Sequence, residues 1–149
     1  MGETKSIYFD ACCYNRPFDD LLDNKIRLEA EAILLLENSI LNNHFVLYNS
    51  RMVDYELGRI KDIDKREKVA AFYASMRSTQ LKFRDEIEQI AANLEKYNIK
   101  YMDALHIAYC EHYKIDYMLT TDQVLLNASR RVDLSTKVMN PLMFVMEVL

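Results

Sequence analysis

The sequence predicts an α/β sandwich built on a mainly parallel sheet, and two observations carry that prediction. Short apolar runs of strand length alternate with longer stretches whose apolar residues recur at helical spacing. Glycine and proline number only two each, so no flexible linker divides the chain, and residues 1–149 are expected to form one domain with a substantial core. Strands joined through helices of about ten residues or more leave little besides parallel pairing with right-handed crossovers.

Ser6–Phe9 (SIYF) is the first predicted strand and ends at Asp10. Ile26, Ala30, Ile33, Leu34 and Leu41 then recur at helical spacing, which predicts an amphipathic helix over Asn24–Leu41. Phe45–Tyr48 (FVLY) is the second strand, so the first unit is strand, crossover helix, strand. Val53, Leu57 and Ile60 mark a short helix; Val69, Phe72, Tyr73 and Met76 mark another; Ile87, Ile90, Ala91 and Leu94 mark a third. Leu81–Phe83 is too short to assign. Tyr117–Thr120 (YMLT) is a strand followed by a helix over Asp122–Ser129, Lys137–Met139 is a last strand, and Pro141 opens a C-terminal helix from its first position.

Composition excludes several classes. With so few glycines there is no glycine-rich loop to cradle phosphates, so a P-loop or dinucleotide fingerprint is absent. No run of about 18 apolar residues occurs, and MGETKSIYFD reaches an acid almost at once, which argues against a membrane span or a signal peptide and for a cytoplasmic protein. Three cysteines, with Cys12 and Cys13 adjacent, form neither a disulfide framework nor a CxxC zinc pattern. The formal charge of -4 means that any grip on nucleic acid must be local.

In a parallel sheet, ligands sit beyond the carboxyl ends of the strands. Asp10 and Asp122 fall at such ends, and no helical pattern starts directly after Asp10. Glu56 lies between Val53 and Ile60 along the apolar stripe of its helix, where a merely solvated glutamate would not usually sit. Asp103 opens the segment DALHIAYCEHYK, whose Ala104, Ile107 and Ala108 mark the buried side. Each acid alone has a plainer explanation as a helix cap or a favourable charge at a helix N-terminus, but all four share one sheet edge. Two unit charges about 4 Å apart repel by roughly 4 kcal/mol at an effective dielectric near 20. Hard divalent cations such as Mg²⁺ and Mn²⁺ offset that repulsion, and phosphodiester hydrolysis is the chemistry such a centre serves.

The segments IYFDACCYN, VDYELGRI, YMDALHIAYCEHYKIDYMLTTD and KVMNP resemble the PIN-domain (PilT N-terminus) ribonucleases, which include the VapC-like toxins of toxin-antitoxin pairs. The resemblance spans nearly the whole chain, and the stretch from DALHIA to TTD is its most specific part. It implies a three-layer α/β/α sandwich, endoribonuclease activity on RNA with Mg²⁺ or Mn²⁺, and Asp10, Glu56, Asp103 and Asp122 as the metal-binding catalytic acids. It also implies homodimerisation and, for a toxin, an antitoxin partner. CCYNRPFDD departs from the family pattern after Asp10; Asn15 and Arg16 are the expected substrate contacts there, and Asp19 and Asp20 are left without a role.

Two further possibilities stand beside this one. His106 and Cys110, four apart on one helix, would face a soft metal with Cys12 or Cys13, against the commoner case of a buried histidine beside a buried cysteine. The fold would also serve as a catalytically silent nucleic-acid or protein-binding module with the acids as caps. Arg51, Arg59, Lys100, Arg130, Arg131 and Lys137 near strand ends are ordinary surface charges or phosphate contacts.

Overall fold

The first apolar run is a strand, β1 (Lys5–Phe9), whose Ile7, Tyr8 and Phe9 have no solvent exposure at all. The structure, a computed structural model, describes residues 3–149, so the first two residues of MGETKSIYFD lie outside it. β1 is followed by α1 (Ala11–Asn15), a 3-10 turn at Arg16–Phe18 and the long helix α2 (Asn24–Leu41). Next come β2 (Phe45–Asn49), α3 (Arg51–Gly58), α4 (Ile63–Ser75), β3 (Ser78–Gln80), α5 (Asp85–Glu95) and α6 (Tyr101–His112). The chain closes with β4 (Tyr117–Leu119), α7 (Gln123–Ser129), β5 (Lys137–Met139) and α8 (Pro141–Glu147).

All strand pairs are parallel, in the order β3-β2-β1-β4-β5. The fold is thus the predicted α/β/α architecture, with β1 at its centre. Ile7 is level with Leu47 on one side and with Tyr117 on the other. Side chains of β1 alternate between the two helical layers. Phe9 meets Tyr14 of α1 edge-on at 5.5 Å between ring centroids, and Tyr117 meets Phe144 of α8 at 4.8 Å. Tyr8 points the other way, toward α6. No helix among the described residues is long and apolar enough to cross a membrane.

Helix ends follow local chemistry. Asp23 caps α2 by accepting the Ile26 N–H at 3.0 Å. With glycine almost absent, left-handed residues after helices fall on Asn43, Asn98 and Lys114. Asparagine tolerates that conformation and lysine does so less readily. After α2 and α6 the bonds His44 N to Ser39 O and Ile115 N to Cys110 O, both 2.9 Å, close the helix in the Schellman manner.

Several expectations need correction. A helix does start directly after Asp10: α1 is only five residues long, too short for periodicity to show, and Asp10 caps it. α4 begins at Ile63, well before Val69, because its first two turns are solvated and carry no apolar stripe. The third strand, Ser78–Gln80, is a polar edge strand that was not expected; it ends just before Leu81–Phe83, the run left unassigned. On α2, Leu34 and Leu41 are exposed, whereas Leu36, Ile40 and a charged residue, Glu29, are buried.

The starts of β1 and β4 are tied by one side chain. Asp116 Oδ2 accepts the Ser6 N–H at 2.9 Å and the Ser6 hydroxyl at 3.1 Å, while the Asp116 N–H donates to Ser6 Oγ at 2.8 Å. Removing an acceptor that leaves a partly buried N–H unpaired costs about 1–3 kcal/mol. Asp116→Ala should therefore lower the unfolding free energy by about that amount in urea; a change within about 0.5 kcal/mol, the range of ordinary surface substitutions, would show that the clasp carries no stability.

Candidate metal centre

Asp10 leaves β1 with an extended backbone, and its amide donates to Leu119 O at 2.9 Å, so β1 and β4 are still paired where the acid begins. Its Oδ1 accepts the Ala11 N–H at 2.8 Å, and its Oδ2 accepts the Thr120 hydroxyl at 2.8 Å. These bonds fix the carboxylate at the sheet edge, 5 % exposed. The same Thr120 Oγ1 accepts the Asp122 N–H at 3.1 Å, which links the acid after β1 to the acid after β4. Asp122 caps α7, its Oδ1 accepting from Val124 and Leu125.

Glu56 comes from the second turn of α3, a helix capped by Ser50. It is half-buried and makes a close contact through Oε1 with Nε2 of His106. That imidazole is fully buried, and its Nε2 lies 3.7 Å from Asp10 Oδ1. Its Nδ1 is bonded to the Tyr8 hydroxyl at 2.6 Å, which is bonded to Ser50 Oγ at 2.7 Å. Burial alone pulls the His106 pKa down, but the bond to Glu56 and the charges of Asp10, Glu56 and Asp103 outweigh it and leave the ring more basic than usual.

Asp103 stands in the first turn of α6. Burial, then the charges of Asp10 and Asp122, push its pKa up to about 6, with His106 opposing and Glu56 adding to the rise. With Asp122, Asn98 and Lys100 it lines a cavity of about 140 Å³.

The donor chemistry fits a divalent cation. One ligand atom each from Asp10, Glu56 and His106 falls within 4.8 Å of the others, and the far nitrogen of His106 is held by Tyr8 as the outer partner of a ligating histidine commonly is. Asp103 and Asp122 stand beside that tight group and outside it. His106 was expected as a buried histidine beside a buried cysteine, with a ligand role only in the alternative soft-metal site; among the described residues it groups with two acids, and no cysteine joins them. Cys13 and Cys110 are buried free thiols, while Cys12 Sγ lies 3.5 Å from Asp10 Oδ2. The signal that marks His106 was present: it lies three residues after Asp103, one turn along the same face.

Neither expected substrate contact points freely outward. Asn15 keeps a buried Oδ1 without a hydrogen bond, and Arg16 is paired with Asp19 at 2.9 Å and with buried Glu29 at 3.2 Å.

Comparison with known proteins follows the same lines. The family model described as PIN domain matches residues 9–130, which contain all four acids and His106. No curated protein matches the sequence. Among solved structures, the crystal structure of PAE2754 from Pyrobaculum aerophilum is similar with a TM-score of 0.56 and 16% identity, covering 96% of this chain and 89% of that one. At that identity the likeness is one of fold.

The raised Asp103 pKa has a definite sign in stability. The folded state holds a proton between its pKa of about 6 and the ordinary value of 3.8, so the metal-free protein loses stability as pH rises through that window, and the penalty is complete above it. In EDTA, Asp103→Asn should gain on the parent in urea midpoint as pH rises from about 4 to about 6.5; a difference that does not vary with pH would contradict a carboxyl made less acidic by burial and by its charged neighbours.

Proposed function

The chain belongs to the PIN-domain family, whose members are generally metal-dependent nucleases, and on that premise we propose that it is an endoribonuclease using Mg²⁺ or Mn²⁺. The observation that carries this is the convergence of Asp10, Glu56 and His106 at the carboxyl edge of the sheet, with Asp103 and Asp122 close enough to act on one another's charge. Asp10, Glu56, Asp103 and Asp122 are the residues that would hold the cation, with His106 on the side of Glu56. When bound, such an ion lowers the pKa of water and neutralises charge on the phosphate.

The chain's own side chains do the rest. Thr120 and the Ala11 amide orient Asp10, and the Tyr8–Ser50 pair fixes the His106 ring so that Nε2 faces the carboxylates. Glu56, half-buried and held by His106, is placed to take a proton from an attacking water. Lys100, beside Asp103 and Asp122, is placed to meet a phosphate. A toxin role with an antitoxin partner, and assembly as a homodimer, belong to the same proposal; their support is the resemblance of the sequence segments to PIN-domain ribonucleases, a family that includes VapC-like toxins. A small neighbouring gene for a DNA-binding antitoxin would favour the toxin over a solitary processing enzyme.

One observation favours the silent binding module: Asp10 and Asp122 both cap helices. The experiment is cleavage of single-stranded RNA by purified protein. Activity should require Mg²⁺ or Mn²⁺, vanish in EDTA, and fall by about 10²–10³ in Asp10→Asn, equivalent to several kcal/mol of lost charge stabilisation. Mn²⁺ at about a hundred times its dissociation constant should add about 2.7 kcal/mol to the parent and little to Asp103→Asn or Asp122→Asn. RNA binding without cleavage, and melting that ignores millimolar Mn²⁺, would favour the binding module; cleavage that persists in excess chelator would sink the metal mechanism.

A further inference from the structure

Two further cavities share one wall residue, Arg51. The first, about 640 Å³, lies between α3 and the start of α6; the second, about 420 Å³, lies beside the segment that follows β3. Along α6 they follow one another, since Tyr101 and Leu105 line the first and Tyr109 the second, each four residues on along one face. Together they form a groove that tracks about 12 Å of that helix. It adjoins the acids. Tyr55 directly precedes Glu56 on α3, and Met102, in the same wall, directly precedes Asp103 on α6. Because all strand pairs are parallel, Arg51 after β2 and Lys82 after β3 leave the sheet at the edge where Asp10 and Asp122 stand.

The groove brings accessible aromatic rings beside unpaired cations. Tyr55, Phe83 and Tyr101 are 52 %, 48 % and 41 % exposed. Each ring is nevertheless held. Arg59 lies over Tyr55 at 5.4 Å and donates to its hydroxyl at 3.2 Å, Glu88 accepts the Tyr101 hydroxyl at 2.8 Å, and Phe83 meets Tyr109 edge-on at 6.3 Å. Among the described residues, neither Arg51 nor Lys82 has an acid within ion-pair distance. Asp54, the acid in the wall, accepts from Gln80 at 2.8 Å instead. Arg51 is moreover the first residue of α3, where the backbone dipole disfavours a positive charge. An anion bound there offsets that cost and finds Lys82 in the wall of the same cavity.

Rings held in place with cations between them match a single nucleic-acid strand, whose bases stack on aromatic faces while its phosphates pair with cations. A duplex keeps its base faces stacked on one another and out of reach. An apolar protein partner would cover Met52 and Leu105 but leave Arg51 and Lys82 unpaired; a polyanion carrying flat apolar groups satisfies both. We propose that this groove holds the single-stranded RNA leading away from the metal centre, with Tyr55, Tyr101 and Phe83 as stacking platforms and Arg51 as the phosphate contact between them. The proposal rests on RNA being the substrate.

The test separates the two. Metal-free protein in EDTA is titrated, at several salt concentrations, with a fluorescent RNA of about 12 nucleotides, within the site sizes of single-strand grooves. The single strand should bind at least about fivefold more tightly than the same sequence in a duplex, the least that one stacked base contributes. Phe83→Leu and Tyr55→Leu, which keep the apolar contacts, should each weaken it by about fivefold or more and leave its salt dependence unchanged. Arg51→Gln should weaken it and reduce the slope of log affinity against log salt by about 0.7, the share of one phosphate on a single strand. Arg77→Gln, an exposed site before β3 at the opposite edge of the sheet, should change neither. Should an aromatic variant not fold, Arg51→Gln alone decides, since it removes a charge that the start of α3 disfavours. The parent's affinity and salt slope in Arg51→Gln overturn the groove. Met52→Glu that turns a dimer into a monomer in sedimentation, with RNA affinity unchanged, also overturns it and gives this face to a second copy. RNA cleavage in Mn²⁺ by a parent whose binding ignores every groove variant sinks the groove while the nuclease stands. Binding that follows the groove variants, without any cleavage, sinks the nuclease while the groove stands.

Discussion

A fully buried imidazole held against the carboxylates of Glu56 and Asp10 is the contact on which the rest of this edge depends. Like charges gathered there oppose folding, at roughly 4 kcal/mol per pair about 4 Å apart for an effective dielectric near 20. The protein offsets this in several ways. His106 is more basic than usual, the Thr120 hydroxyl binds Asp10, and Asp10, Asp103 and Asp122 all stand at helix N-termini, where backbone dipoles favour negative charge. The offset is incomplete: burial comes first in raising the Asp103 pKa, but the charges of Asp10 and Asp122 add to the rise. A centre left with excess negative charge is one that attracts a cation.

Capping and metal binding are compatible in this geometry. Asp122 uses Oδ1 for both amides of α7, which leaves Oδ2 free of bonds to the helix. Glu56 and Asp103 distinguish the two roles better, because neither caps anything. α3 is capped by Ser50, and α6 starts after Lys100 without a side-chain cap. Ser50 also bonds Tyr8, so the residue that starts α3 helps to fix the histidine that Glu56 meets. Loss of Tyr8 from the β1 core would therefore disturb the centre from behind.

Much of this was legible in the residues. β1, β2, β4 and β5 contain apolar runs bounded by polar residues, and α2 keeps its expected ends because Asp23 and Asn42 punctuate it. The acids were visible because each follows or interrupts an apolar pattern. What stayed hidden has physical reasons. β3 is Ser-Thr-Gln on the sheet edge, without an apolar face to bury, and α1 is shorter than two turns. His106 lies in a run of consecutive buried residues, Ala104–Cys110, so apolar periodicity did not single it out and its spacing from Asp103 was the one mark it carried. Glu29 was invisible because its burial depends on Arg16 and Asn140, one brought by the turn after α1 and the other by the end of β5.

The most direct measurement is to locate the cation. Crystals of the protein soaked in Mn²⁺ and measured near the manganese absorption edge should show one or more anomalous peaks at about 2.0–2.2 Å from carboxylate oxygens of Asp10 and its neighbours, the range of hard octahedral coordination. A well-ordered crystal at millimolar Mn²⁺ with no peak at this edge, and His106 still closed on Glu56, would contradict the account.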